Sequence, residues 1–217
     1  MNSKAVSSVL ALVLFAAGHV LAQSPHTHRH SFGDAQGWAK VFDDPERDAW
    51  QKPHEVMQAL GLKADAVVAD VGAGTGYFTV RLAHMLPQGR VYAVDTEAAM
   101  VKHLAGRAKS AGLPNVVAVH AAPDDSRIPE KADLVLLVDV YHHIDARERY
   151  FATLAAMLKP GGRVAIIDFR MDSPQGPPRA ARVAPERVKA ELDRAGYDVA
   201  QEHAFLQYQY FIVFKKR

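Results

Sequence analysis

The sequence predicts an α/β fold: a seven-stranded, mostly parallel sheet covered by helices on both faces and closed by a C-terminal antiparallel hairpin. Three observations carry this. Short apolar runs alternate with segments of helical period from residue 67 onward. The run Leu134–Val138 is apolar without a break, as expected of a parallel strand buried on both faces. Two further strand-like runs near the end are joined by only a few residues, so they must pair antiparallel.

The elements follow in order. Lys4 precedes an apolar run from Ala5 to Ala17, and Val20-Leu21-Ala22 ends in a small residue. Residues 1–22 therefore predict a secretory signal peptide cleaved after Ala22. Localisation is then exported, the periplasm in a bacterium; the alternative is an inner-membrane protein anchored by an uncleaved leader. Residues 23–41 predict a flexible leader. It holds His26, His28 and His30, which could bind a metal if extended; an exposed tract with chance histidines is the other reading. The domain proper spans 42–217 and begins with a helical cap to Leu60. Pro53 suits a first turn there, and Val56, Met57 and Leu60 mark one face.

Val67–Asp70 predicts the first strand, followed by a helix burying Phe78, Leu82 and Met85. Val91–Val94 predicts the second strand; Thr96 can cap the next helix, which buries Met100, Leu104 and Ala108. Val116–His120 and Leu134–Val138 are the third and fourth strands. Asp145 with Glu148 has the spacing of a capping box for a helix carrying Tyr150, Phe151, Leu154, Met157 and Leu158. Val164–Asp168 is the fifth strand. A Pro/Gly-rich loop fills 171–184, a length that is usually functional or disordered. Pro185 opens the last helix, which Gly196 ends. The final strands lie near Val199–Phe205 and Tyr210–Phe214.

The turn after the first strand carries the chemistry. Gly72, Gly74 and Gly76 alternate with Ala73 and Thr75. Glycine lets the backbone turn sharply and approach a ligand. The dinucleotide fingerprint is G-x-G-x-x-G. Here the spacing is G-x-G-x-G, and Tyr77 stands where the third fingerprint glycine belongs. Asp70, two residues before Gly72, repels a pyrophosphate and suits a cation. Asp95 ends the second strand about 20 residues beyond the glycines, where a carboxylate meets ribose hydroxyls.

Asp70–Gly76 with Asp95 resembles the class I S-adenosylmethionine-dependent methyltransferases, a Rossmann-like sandwich. The resemblance extends to Leu134–His143, similar to that family's fourth strand and following loop, and to Leu158–Val164, similar to its turn into the fifth strand. It covers residues 45 to 214 and is nearest the small-molecule branch of ubiquinone/menaquinone- and arsenite-type enzymes. It implies S-adenosylmethionine as cofactor and methyl transfer to a small molecule. Gly72, Ala73, Gly74, Thr75 and Gly76 would line the methionine and ribose parts. Asp70 would attract the ammonium end, directly or through water. Asp95 would accept from both ribose hydroxyls, Asp124 (with Asp125 next to it) from the adenine amine, and Asp139 would complete the cofactor set. His143, His142 and Tyr141, just past a buried strand, are the catalytic candidates, either histidine as general base. Trp50 and His54 are candidates for substrate contact, Arg170 and Arg179 for an anionic substrate.

Composition narrows the partners. Twenty-six Lys and Arg against 24 Asp and Glu give +2, with no long basic run, so neither nucleic acid nor a membrane surface is indicated. No stable membrane insertion is expected once the leader is cleaved; oligomeric state is left open. The chain has no cysteine. An exported form must then rely on its core, and thiol-based arsenite chemistry is excluded. No metal site is expected in the domain. Two alternatives stay open: an exported, non-catalytic nucleoside- or metal-binding module on this fold, and an NAD(P)-dependent oxidoreductase.

Overall fold

The computed structural model describes residues 34–217. The signal segment and the tract of His26, His28 and His30 lie outside these residues. The apolar runs form one sheet of seven strands: β1 (Val67–Val71), β2 (Arg90–Asp95), β3 (Val116–His120), β4 (Ala132–Val138), β5 (Leu158–Phe169), β6 (Tyr197–His203) and β7 (Gln209–Lys216). Their order is β3-β2-β1-β4-β5-β7-β6. β1 to β5 pair in parallel, and β7 runs antiparallel to both β5 and β6. The hairpin thus enters the sheet with its second strand innermost. Strand order reverses at β1, with β2 on one side and β4 on the other, which opens a crevice at the carboxyl ends.

The helices are α1 (Ala35–Phe42), α2 (Arg47–Gln51), α3 (Pro53–Leu60), α4 (Tyr77–Met85), α5 (Ala98–Ser110), α6 (Arg147–Leu154) and α7 (Pro185–Arg194). Side chains alternate across β1, so successive residues feed opposite layers. Val67, Ala69 and Val71 join Phe151, Leu154, Val188 and Leu192 of α6 and α7. Val68 joins Val56, Leu60, Phe78 and Leu82 of α3 and α4. The sheet is thereby buried on both faces, and its polar carboxyl edge is what remains for a ligand.

Three local expectations are corrected. The leader was expected to reach residue 41, but α1 starts at Ala35, because Asp34 accepts the Gly37 N–H at 2.9 Å and Trp38 stacks on Phe42 one turn later. Thr96 does not cap α5. Glu97 holds that position without a side-chain bond, and the neighbouring Asp95 takes the Glu97 N–H instead. The Asp145–Glu148 box does not form either: Ala146 precedes α6 with φ +46, and Glu148 pairs with Arg194 at 2.7 Å. In the last case a tertiary partner claims the acid that local spacing assigned to a cap.

Candidate active site

The glycine turn is fixed from two sides. Gly72, Gly74 and Gly76 all have positive φ, +71°, +56° and +94°. At Gly72 an added Cβ would lie 2.2 Å from the Val140 side chain, so no other residue fits. The N–H groups of Gly72 and Ala73 donate to the Val94 carbonyl at 2.8 and 3.0 Å, tying the turn to β2. Asp95, at the end of β2, completes the tie: Oδ2 accepts the Gly74 N–H at 2.8 Å and Oδ1 the Glu97 N–H at 2.9 Å. Burial raises its pKa, and these two N–H bonds oppose the rise. A carboxylate has about four acceptor positions, so Asp95 keeps capacity for a further donor. The Thr75 carbonyl accepts from Arg107 at 2.8 Å, and its Oγ1 is buried without a partner.

Asp70 is anchored within the protein. Its carboxylate is 3% exposed and accepts the Thr79 hydroxyl at 2.6 Å, strapping β1 to the first turn of α4. Burial pushes its pKa up to about 6. It braces the glycine turn from behind; the sequence assigned it the ammonium end of the ligand, directly or through water.

The cap lies over this turn. The Phe42 ring comes within 3.5 Å of where a Cβ on Gly74 would be. Asp43 pairs with Arg107 at 2.8 Å and Asp48 with Arg81 at 2.9 Å. Tyr77 sits between the guanidinium groups of Arg47 and Arg81, 4.2 and 3.9 Å from its ring centre. Asp139, just past β4 with φ +60°, closes a ring of four side chains. Arg47 donates to Asp139 at 3.3 Å and to Gln51 at 3.1 Å; Gln51 donates to Gln209 at 2.5 Å; Gln209 donates to Asp139. Burial raises the Asp139 pKa, and the Arg47 charge acts against that.

Beyond Asp139 the three aromatic candidates separate. His142 is 7% exposed; its Nδ1 lies 2.9 Å from Asp168 Oδ2, and its backbone N–H donates to the same carboxylate at 3.2 Å. Burial pulls the His142 pKa down, but the bond to Asp168 and its charge outweigh this, and the net direction is up. His143 is exposed, with its ring centre 4.0 Å from that of His142. Tyr141 is a correction. It is fully buried, stacks on Phe151 and donates to Glu191 at 2.6 Å, so it packs in the α6–α7 layer away from the crevice.

The outlying candidates find other partners. Asp124 is exposed in the tight turn 122–125, while Asp125 accepts the Arg127 N–H at 2.9 Å. Arg170 spends its guanidinium on the carbonyls of Leu206 and Gln207, and Arg179 is exposed. His54 is exposed and bonds Gln58 at 3.0 Å, whereas Trp50 packs on Phe169 and Tyr208. Among the described residues no group of three or more His, Asp or Glu is arranged to hold a metal ion. Five residues around Asp139 and His142 were missed: Arg47, Gln51, Asp168, Gln209 and Tyr210. Asp168 had a signal, since it ends an apolar strand as Asp70 and Asp95 do. Tyr210 sits opposite Asp168 in the β5–β7 register, with a buried hydroxyl that has no partner.

Comparison with known proteins agrees with this geometry. Residues 69–164 match the family described as a methyltransferase domain. A trans-aconitate 2-methyltransferase from Azoarcus sp. is 30% identical over 79% of this chain and 68% of its own length. A ubiquinone/menaquinone biosynthesis C-methyltransferase from Marinomonas sp. is 28% identical over 54% of this chain and 48% of its own. Among solved structures, a SAM dependent methyltransferase from Aquifex aeolicus is 27% identical with a TM-score of 0.77, covering 83% of this chain and 97% of that one. The chain spans about half the length, or less, of several curated relatives that it matches.

Proposed function

This chain belongs to the S-adenosylmethionine-dependent methyltransferase family, and we propose that it transfers a methyl group from that cofactor to a small-molecule acceptor. One observation carries the reading: a carboxylate, Asp95, is bonded to the N–H of a left-handed glycine where β1 and β2 end together. The residues fit the cofactor. The glycine turn allows close backbone approach, and Asp95 retains acceptor capacity for a ribose diol. Asp139 and Arg47 offer opposite charges side by side, matching the ammonium and carboxylate of an amino-acid end. Phe42 of the cap lies over the turn at Gly74.

S-adenosylmethionine, when bound, supplies a methyl group already activated on a positively charged sulfur. The protein's part is then to position the acceptor, exclude water and take up its proton. His142 is the group for the last task. Asp168 fixes its ring through Nδ1, which leaves Nε2 as the nitrogen that takes a proton. The dinucleotide alternative is set aside by the family and by Tyr77, whose buried ring occupies the third-glycine position between two guanidinium groups.

The test is calorimetry of the full chain with S-adenosylmethionine and with S-adenosylhomocysteine. Saturable binding of both is expected. Absence of binding with either overturns the reading. Binding without label transfer from methyl-labelled cofactor into a small-molecule extract would favour the non-catalytic module instead.

Export is the second part of the proposal, supported by the charged, apolar and small-residue pattern of residues 1–22. No helix among the described residues is long and apolar enough to cross a membrane. Sequencing the mature N-terminus from a periplasmic fraction should give Gln23. Recovery of an intact Met1 start from the membrane fraction would instead support the anchored form.

A further inference from the structure

Within the connection after β5, Ser173 bonds Gln175 through its hydroxyl and Arg170 through its N–H, but one side chain reaches further than any other. Arg182 folds back into the loop that precedes it. Its Nε donates to the Pro177 carbonyl at 2.8 Å, Nη2 to Gln175 at 3.0 Å, and Nη1 to Ser173 at 2.6 Å and Arg170 at 3.1 Å, with Met171 at 3.5 Å. Five carbonyls of a loop with no sheet partner converge on one guanidinium. Arginine carries five N–H donors in a fixed planar fork; a lysine offers three from one point. Backbone carbonyls that lack secondary structure need partners, and this residue supplies them together.

The loop so held presses on the site. Gly176 has φ +89°, and a Cβ there would lie 2.5 Å from the Phe169 ring. Phe169 packs on Trp50, ring centres 5.8 Å apart, and Trp50 on Tyr208 at 6.0 Å. The Phe169 N–H donates to Asp168 Oδ1 at 2.8 Å, and that carboxylate holds His142. A line of contacts therefore runs from Arg182, through Gln175 and Pro177 that flank Gly176, to Phe169 and on to the histidine.

We propose that Arg182 is a positioning residue of the acceptor side: by gathering the carbonyls of residues 170–177 it holds Gly176 against Phe169, and so fixes Trp50 and the Asp168–His142 pair. Calling this side the acceptor side rests on the methyl-transfer reading; the positioning itself does not.

The experiment uses the full chain with Arg182→Ala, Arg182→Lys and Arg182→Gln. Backbone hydrogen exchange follows residues 171–177, and nitrogen-15 shifts follow the His142 ring. In Arg182→Ala, exchange in 171–177 should rise roughly tenfold or more while β1 and β4 keep their protection. The His142 ring shifts should move with it. Added guanidinium ion, far below denaturing concentration, should return both toward wild type. Arg182→Lys should fall between, unaffected by guanidinium. Unchanged loop exchange overturns the proposal; so does faster exchange with His142 unmoved, or a general loss of protection that guanidinium does not reverse. Should Arg182→Ala fail to fold, Arg182→Gln and Arg182→Lys are read by the same criteria. A wild-type chain that binds neither nucleoside would end the transfer reading, while the exchange and shift data would still decide the role of Arg182.

Discussion

The two sides of the crevice are held together by different kinds of contact. On the β1–β2 side the bonds are short in sequence and go largely to the backbone: Asp95 to Glu97 and Gly74, Asp70 to Thr79. On the β4–β5–β7 side they are long in sequence and join side chain to side chain: His142 to Asp168, Gln209 to Asp139, Gln51 to Gln209. The difference separates two jobs. Backbone bonds fix the shape of the glycine turn independently of most side chains. Side-chain pairs can be exchanged one at a time, which suits the side where acceptors vary.

Substitutions on each side should therefore fail differently. The largest effect is expected at the histidine: His142→Asn or Asp168→Asn should lower label transfer about 10²- to 10⁴-fold while the affinity for S-adenosylhomocysteine stays within roughly twofold. Loss of cofactor affinity in either would break the comparison. Asp95→Ala should do the reverse, weakening the nucleoside about 100-fold in calorimetry, since two charge-assisted bonds and the Gly74 anchor are lost together.

Asp70 offers a test by pH. Its folded pKa of about 6 lies above the ordinary 3.8, so its ionisation works against the folded state. Stability from this group is complete below pH 3.8 and is lost as pH rises through 6. Asp70→Asn, which still accepts from Thr79, should gain up to roughly 3 kcal/mol in denaturant unfolding at neutral pH, and nothing near pH 3. His142 has the same sign, since its folded pKa is raised above 6.5. Its pairing with Asp168 stabilises most below pH 6.5 and fades above the folded value, whereas proton uptake from an acceptor needs the neutral ring. Activity should thus climb with pH where this contribution to stability declines. The smallest effect is expected at Tyr141→Phe, which should cost about 1–2 kcal/mol of stability through the lost Glu191 bond and leave transfer unchanged.

The same division explains what the sequence made legible. The glycine turn, Asp95 and every strand of the sheet follow from local pattern, because a strand–turn–helix unit writes its constraints within some thirty residues. Asp139 was visible as a polar residue after a buried strand. Arg47 and Gln209 were not: each meets Asp139 from a distant part of the chain, and nothing near either one marks it. Tyr141 was misjudged because adjacent residues in a single helical turn point to different layers, and the pattern Tyr-His-His does not say which one turns inward. The Asp70–Thr79 bond was not visible, because Thr79 reads as one more residue of an amphipathic helix until α4 is placed on the sheet.

One consequence belongs to the order in which a chain is made. β7 is the last of the seven described strands to leave the ribosome, yet it lies inside the sheet, between β5 and β6, and supplies Gln209 and Tyr210 to the crevice. Until it arrives, β5 has a bare flank and Asp139 lacks one of its two partners. The crevice therefore cannot close on local structure alone: its β4–β5 flank stays open until β7 has been made and has inserted between its neighbours.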